Sequence, residues 1–258
     1  MFESDRLHVE SPFVRRARRP NRRVRLFCFP HAGAGASSFA DWPSMLPPEV
    51  ELIAVQLPGR EDRVGESPFL RMEITVRTVG LALRPYLQGP CAFFGHSGGA
   101  LLAFELARAL RKRGMEPNHL FLSGQPAPDL PAVVPNIHGL PDEDFRKALH
   151  LLGGMSADVV NDDELMKVLL PSLRADFTLW ETYRYQAQPK LSAPITALGG
   201  DADDRAPIST LEAWREHTTG AFASRVFPGG HFYLNDVGVD LTETIGSALL
   251  RRESAHAK

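Results

Sequence analysis

Cysteine is scarce, net charge is nearly absent, and no apolar run approaches the length of a membrane span. The two cysteines, Cys28 and Cys91, both fall inside apolar stretches that read as buried strands. Each reads as a small core residue rather than a disulfide partner or nucleophile, and a reducing, cytoplasmic setting is expected. A formal charge of -2 gives no global pull toward nucleic acid or membrane. Spanning a bilayer takes about 20 consecutive apolar residues, and no such run occurs. Arginines at 15, 16, 18, 19, 22, 23 and 25 crowd the start of the apolar stretch Val24 to Phe29, a superficial likeness to a secretory signal. That stretch is interrupted by Arg25 and stopped by Pro30 and His31, short of the roughly 7 to 15 apolar residues a signal core needs. No internal repeat or low-complexity tract is visible.

What is present suits one large α/β domain. The chain has 258 residues, 43% of them hydrophobic and 23% charged, enough to bury a substantial core. Residues 1–22 are polar, charged and without periodicity, so a flexible basic arm is expected there, with docking of an acidic partner as its sharper role. Residues 23–258 are expected to form a single domain.

Strand-like runs are Val24 to Phe29, Glu51 to Leu57, Cys91 to Gly95, His119 to Ser123, Pro194 to Leu198 and Phe222 to Phe227. Helical spacing separates several of them: apolar residues at 72, 76, 79 and 83, then Ala100, Ala103 and Ala107 on one face. Alternating strands and helices indicate a mostly parallel central sheet with helices on both faces. The alternation stops between about 126 and 193. Phe145 to Leu152 and Asp162 to Tyr185 are helical in pattern with no strand between them, so an inserted helical lid is expected. Met166, Leu169, Leu170, Leu173, Phe177 and Trp180 share a face there unless Pro171 breaks the helix. The charged segment Arg60 to Arg63 reads as a solvated loop.

The motif that carries chemistry is Gly95-His96-Ser97-Gly98-Gly99, a G-x-S-x-G sequence between a strand and a helix. A strand turning directly into a helix brings the positions two before and two after the serine almost into contact, which the glycines permit. The serine is then held on a strained backbone at positive φ with its hydroxyl exposed above the sheet edge. Small residues follow the first strand in His31-Ala32-Gly33-Ala34-Gly35, where backbone N–H groups can point into a site. Ala32 or a near neighbour, together with Gly98, would supply an oxyanion hole. A phosphate-cradling loop fails here, because no Gly-Lys-Ser/Thr follows.

Hydrolases of this pattern place the acid and then the base after the serine, each on a loop beyond a strand. His231, in Pro228-Gly229-Gly230-His231 after the last strand, is the candidate base; His217 lies in a helical pattern and His256 in the tail. His31 reads as scaffold. Asp201, Asp203, Asp204 and Asp129 all follow strands, and spacing alone does not separate them as the acid.

The segments Phe29-Pro30-His31-Ala32-Gly33, Leu57-Pro58-Gly59-Arg60, Phe94-Gly95-His96-Ser97, Leu173-Arg174-Ala175-Asp176-Phe177, Gly200-Asp201-Ala202-Asp203 and Gly229-Gly230-His231-Phe232 together resemble the type II thioesterases of polyketide and nonribosomal peptide synthesis. The resemblance spans about residues 24 to 250. It implies an α/β-hydrolase fold and a discrete serine hydrolase that removes stalled or aberrant acyl groups from the phosphopantetheine arm of acyl or peptidyl carrier proteins. It implies Ser97, Asp203 and His231 as the triad, Ala32 and Gly98 as oxyanion donors, no cofactor or metal of its own, and a monomer. The family commonly carries a bulky residue, often Met, after the nucleophile and a Gly-Gly pair in the first loop. Gly98 and Ala34 stand there instead, which leaves more room beside the acyl carbonyl. Rival readings are a carboxylesterase or lipase of the same fold, a non-catalytic acyl-binding member, and a cyclase using an internal nucleophile.

Overall fold

The computed structural model describes residues 5–251. Eight strands form one sheet: β1 (His8–Ser11), β2 (Val14–Ala17), β3 (Val24–Phe29), β4 (Val50–Val55), β5 (Cys91–His96), β6 (His119–Ser123), β7 (Ile195–Gly200) and β8 (Phe222–Phe227). Their spatial order is β1-β2-β4-β3-β5-β6-β7-β8, and every pairing from β4 to β8 is parallel. Strands β3, β4 and β5 are buried along their whole length, which is why, apart from the paired Arg25 and Glu51, they read as apolar runs rather than alternating ones. The sheet is the α/β-hydrolase sheet.

Helices α1 (Trp42–Met45), α2 (Met72–Leu83), α3 (Gly98–Arg111), α4 (Asp142–Leu151), α5 (Ala157–Asn161), α6 (Asp163–Glu181), α7 (Ile208–Glu212) and α8 (Gly238–Leu250) complete the element order. One apolar cluster joins α2 and α3 to a face of the sheet through Val79, Leu83, Leu102 and Leu106 against Phe27 and Phe93. The other face packs Trp42, Leu241 and Ile245 against Leu26, Ala92 and Phe94. Ala100, Ala103 and Ala107 are fully buried, so α3 lies close on the sheet. Helix α2 stops at Leu83 and yields to a 3₁₀ turn over Arg84–Tyr86, since Pro85 has no N–H with which to continue it.

Between β6 and β7 the chain leaves the sheet for α4, α5 and α6, which share an apolar cluster of their own around Phe145, Leu149, Met166 and Leu173. Asp162 starts α6 by accepting a hydrogen bond from the Leu165 N–H at 3.0 Å. The helix runs through Pro171 without breaking.

Two expectations are corrected. Residues 8–17 of the supposed arm are strands β1 and β2, with β2 antiparallel to β4; residues 1–4 lie outside the described residues, as do 252–258. The arginines are drawn in by carboxylates: Glu51, fully buried, holds Arg16 at 3.0 Å and Arg25 at 2.9 Å, and Arg18 pairs with Glu10. A charged stretch joins a sheet here because its counter-charges lie on β1 and β4. The second correction concerns residues 60–63. Arg60 and Arg63 are buried, and only Glu61 and Asp62 face solvent.

Candidate active site

Strand β5 ends at His96 and α3 begins at Gly98, leaving Ser97 alone at the elbow with φ 54° and ψ -126°. A Cβ on Gly95 would lie 2.3 Å from the Gly99 carbonyl oxygen, and one on Gly99 would lie 2.2 Å from that of Phe29. No other residue fits either position. The Ser97 N–H donates to the Ser123 carbonyl on β6 at 2.8 Å, so the neighbouring strand fixes the turn.

The loops after β7 and β8 bring the next two groups together. His231 Nδ1 lies 2.9 Å from Asp203 Oδ2, and both side chains are buried. Asp203 Oδ1 also accepts from the N–H groups of Arg205 and Ala206 at 2.9 and 3.1 Å. Burial opposes ionisation of Asp203, but these hydrogen bonds prevail and hold its pKa below the ordinary value. With Nδ1–H donating to a carboxylate, Nε2 of His231 is left as the acceptor. That atom has no hydrogen-bond partner among the described residues. Burial pushes the His231 pKa below its ordinary value; the Asp203 bond works against that shift and nearby Arg205 adds to it.

The other three aspartates lie apart from His231, two of them bonded elsewhere. Asp129 Oδ1 lies 2.8 Å from His217 Nε2, Asp201 Oδ1 accepts from the Gly229 N–H at 2.9 Å, and Asp204 is exposed. His31 stacks edge-on against His96 and Phe232, and burial lowers its pKa to about 4. His96 is buried with Nδ1 2.9 Å from Ser123 Oγ, which in turn meets the Tyr233 hydroxyl at 2.8 Å. His96, Ser123 and Tyr233 thus form a hydrogen-bonded chain next to the elbow, with the His31 ring packed on His96.

Ser97, His231, Ala32 and Gly98 line one cavity of about 340 Å³, walled by Phe177, Trp180 and the segment 125–136. A second, small cavity on the side of Leu149 and Met155 shares Ala32, Ser97, Phe177 and Arg205 with it. Openings therefore meet at the serine from two sides.

Helix α6 forms the roof with residues at three- and four-residue spacing. Leu173 closes on Gly33, where a Cβ would lie 2.4 Å from its Cδ2; Trp180 covers Gly98. Between them Asp176 Oδ2 accepts from the Gly33 N–H at 2.7 Å. Arg60 donates from Nη1 and Nη2 to Asp176 Oδ2 and Oδ1 at 2.7 and 2.9 Å, and reaches the Ala34 carbonyl at 3.3 Å. The loop carrying Ala32 is thus held by a buried ion pair between the body and the lid. Arg60 and Asp176 both lie in segments that carry the family resemblance, yet nothing in their spacing joins them.

A mostly parallel α/β sheet with a serine on a strained elbow after β5 and a His–Asp pair on the loops after β8 and β7 defines a hydrolase of the α/β class. The thioesterase domain family matches residues 24–249, and the chain belongs to that family of thioester-cleaving enzymes. It is 43% identical over 222 residues to the gramicidin S biosynthesis protein GrsT of Aneurinibacillus migulanus, covering 86% of this chain and 87% of that one. It is likewise 43% identical over 233 residues to the thioesterase PikA5 of Streptomyces venezuelae, covering 90% and 83%. Among solved structures, the type II thioesterase BorB from the borrelidin biosynthetic cluster superposes with a TM-score of 0.86 at 37% identity, covering 94% of this chain and 99% of that one.

Proposed function

We propose that the protein hydrolyses acyl thioesters from the phosphopantetheine arm of acyl or peptidyl carrier proteins, clearing stalled or aberrant groups in polyketide or nonribosomal peptide synthesis. The observation that carries this reading is His231, tied to Asp203 at 2.9 Å with its Nε2 unpartnered among the described residues, lining the same cavity as Ser97. Kinship with GrsT, PikA5 and BorB supports the substrate class.

Ser97 Oγ attacks the thioester carbonyl as His231 Nε2 takes its proton, and the N–H groups of Ala32 and Gly98 hold the oxyanion. The C–S bond breaks, and the thiolate leaves with the proton from His231. Water then adds to the acyl-serine, losing its proton to His231, and the carboxylic acid departs as Ser97 regains its hydrogen. Asp203 fixes the imidazole tautomer throughout and stays ionised. No cofactor is required beyond the pantetheine that carries the substrate. Two free, buried cysteines fit a reducing, cytoplasmic setting for this chemistry.

The test is mass spectrometry of carrier proteins loaded with different acyl groups, before and after treatment. Loss of the acyl mass from the carrier is expected with the native protein and not with Ser97→Ala. Equal cleavage of oxygen esters and pantetheine thioesters would instead mark a general esterase, and unimpaired Ser97→Ala would overturn the mechanism.

A further inference from the structure

A second concave surface lies beside the catalytic cavity. It is a groove of about 570 Å³ between α2, α3 and the segment after α6, larger than the cavity over Ser97. The two share Tyr183 and Arg184, so the groove ends where the catalytic cavity begins. Its floor is apolar, with Met72, Val76, Leu106, Leu110 and Leu179 among its lining.

The rim is cationic. Arg71, Arg77, Arg108, Lys112, Arg113 and Arg184 line the groove against the acids Glu73 and Glu105 alone. Both acids are engaged: Glu105 pairs with Arg108 and accepts from the Tyr183 hydroxyl, and Glu73 pairs with Arg71. Arg77, Lys112 and Arg113 are exposed and have no ion pair among the described residues. All three line the same groove, so its border carries positive charge that no carboxylate of the described residues neutralises. On α2 the positive rim merges with an apolar stripe. Ile74 and Leu81 are 49% and 53% exposed at helical spacing on either side of Arg77, and Leu70, just before the helix, is 55% exposed.

An apolar groove with an unmatched cationic border selects an anionic amphipathic face. A fully hydrophobic occupant would strand the charges, and a cationic one would be repelled. We infer that this groove and the α2 stripe dock the acidic face of the carrier protein, so that its pantetheine arm passes Tyr183 and Arg184 to reach Ser97. The inference rests on the proposed carrier-thioester activity. It adds the surface that recognises the carrier as a protein, apart from the cavity that recognises the acyl group.

The roles are separable because Arg77, Lys112 and Arg113 line the groove and not the catalytic cavity. The experiment compares kcat/KM for one acyl group presented on a carrier protein and as its N-acetylcysteamine thioester, in the native enzyme and in the triple variant Arg77→Glu, Lys112→Glu, Arg113→Glu. A loss of about tenfold or more is expected with the carrier, with the small thioester cleaved within about twofold of the native rate. The native enzyme's carrier activity should also fall more steeply with added salt than the variant's. A carrier in which acidic surface residues are changed to Lys should recover activity with the triple variant. Ile74→Ser with Leu81→Ser tests the stripe without changing charge, and it too should lower only carrier turnover.

If the triple variant cleaves the acyl carrier as well as the native enzyme, the docking surface is wrong while the carrier activity stands. If both substrates suffer equally, these residues support the fold and the inference also fails. If the native enzyme cleaves the small thioester but leaves every carrier-bound acyl group intact, the proposed function falls and the docking surface with it.

Discussion

The Trp180 indole occupies the space that a side chain at residue 98 would need: a Cβ built on Gly98 would lie 2.3 Å from Nε1 and Cε2 of the ring. The residue after Ser97 and the inner face of the lid are therefore one steric unit. The room at Gly98 is filled from α6, and Trp180 becomes a wall of the cavity that Ser97 lines.

Gly98→Ala is accordingly expected to lower kcat/KM by about tenfold to a hundredfold, because overpacking by one methyl at such a contact costs about 1–3 kcal/mol. Residue 98 has no positive φ to strain, so the effect is one of contact alone. Trp180→Leu should restore much of the activity of Gly98→Ala while shifting the preferred acyl length upward. A double-mutant cycle over a ladder of acyl thioesters measures this coupling. Strictly additive effects would show that the two residues do not share the space.

Arg60 and Asp176 lead to a prediction in which stability and catalysis part company. Their side chains are only 4% and 2% exposed, so removing either leaves a buried charge alone, a loss of about 3–5 kcal/mol. Arg60→Ala or Asp176→Ala is expected to lower Tm markedly. The pair Arg60→Met with Asp176→Leu should regain stability, since apolar replacement of a buried ion pair is often neutral. It should not regain kcat, because the Gly33 N–H then has no carboxylate to hold the loop that carries Ala32. Calorimetry and single-turnover rates on the same samples separate the two effects.

What was legible in the sequence follows from how far each feature reaches along the chain. The elbow around Ser97 and the turn before His231 are local, since glycines are dictated by backbone contact within a few residues. Strands β3 and β8 were readable to the residue. Arg60 and Asp176 are 116 residues apart, and a linear reading sends Arg60 to solvent and gives Asp176 no role, because neither shows its partner. The same blindness hid β1 and β2: arginines at 15, 16, 18 and 19 mask the inward-facing Val14 and Ala17, and the compensating Glu51 lies on another strand. Trp180 was visible as part of an apolar helical face, but its contact with Gly98 arises only when the lid closes over the elbow.

The pH profile should report the field of Arg205. A base must be neutral to take the serine proton, so activity is present above the His231 pKa and lost below it. Burial, aided by Arg205, sets that pKa below the ordinary value near 6.5. The acid limb of kcat/KM is expected below about pH 6.5 in the native enzyme. Arg205→Met removes a positive charge but keeps the backbone N–H that binds Asp203, so the limb should move to higher pH. A limb that stays in place or moves down would show that Arg205 does not act on His231.

The choice among four aspartates yields the sharpest comparison. Asp203→Asn keeps the shape of the loop but no longer favours the tautomer with Nδ1–H, so Nε2 loses its role as acceptor; a fall of about 10⁴ in kcat is expected. Asp129→Asn alters only the contact with His217, which packs among Phe104, Tyr185 and Trp214, and kcat should stay within about threefold. Asp201→Asn weakens the hydrogen bond to Gly229, in the turn that presents His231, so an intermediate loss is expected. Asp204→Asn, at an exposed position, should change nothing measurable. The ordering 203, then 201, then 129 and 204 is read from burst kinetics with an activated acyl ester, where the burst size confirms equal numbers of active serines. A dominant effect at residue 129 or 201 would move the acid away from Asp203 and require His231 to turn in its loop.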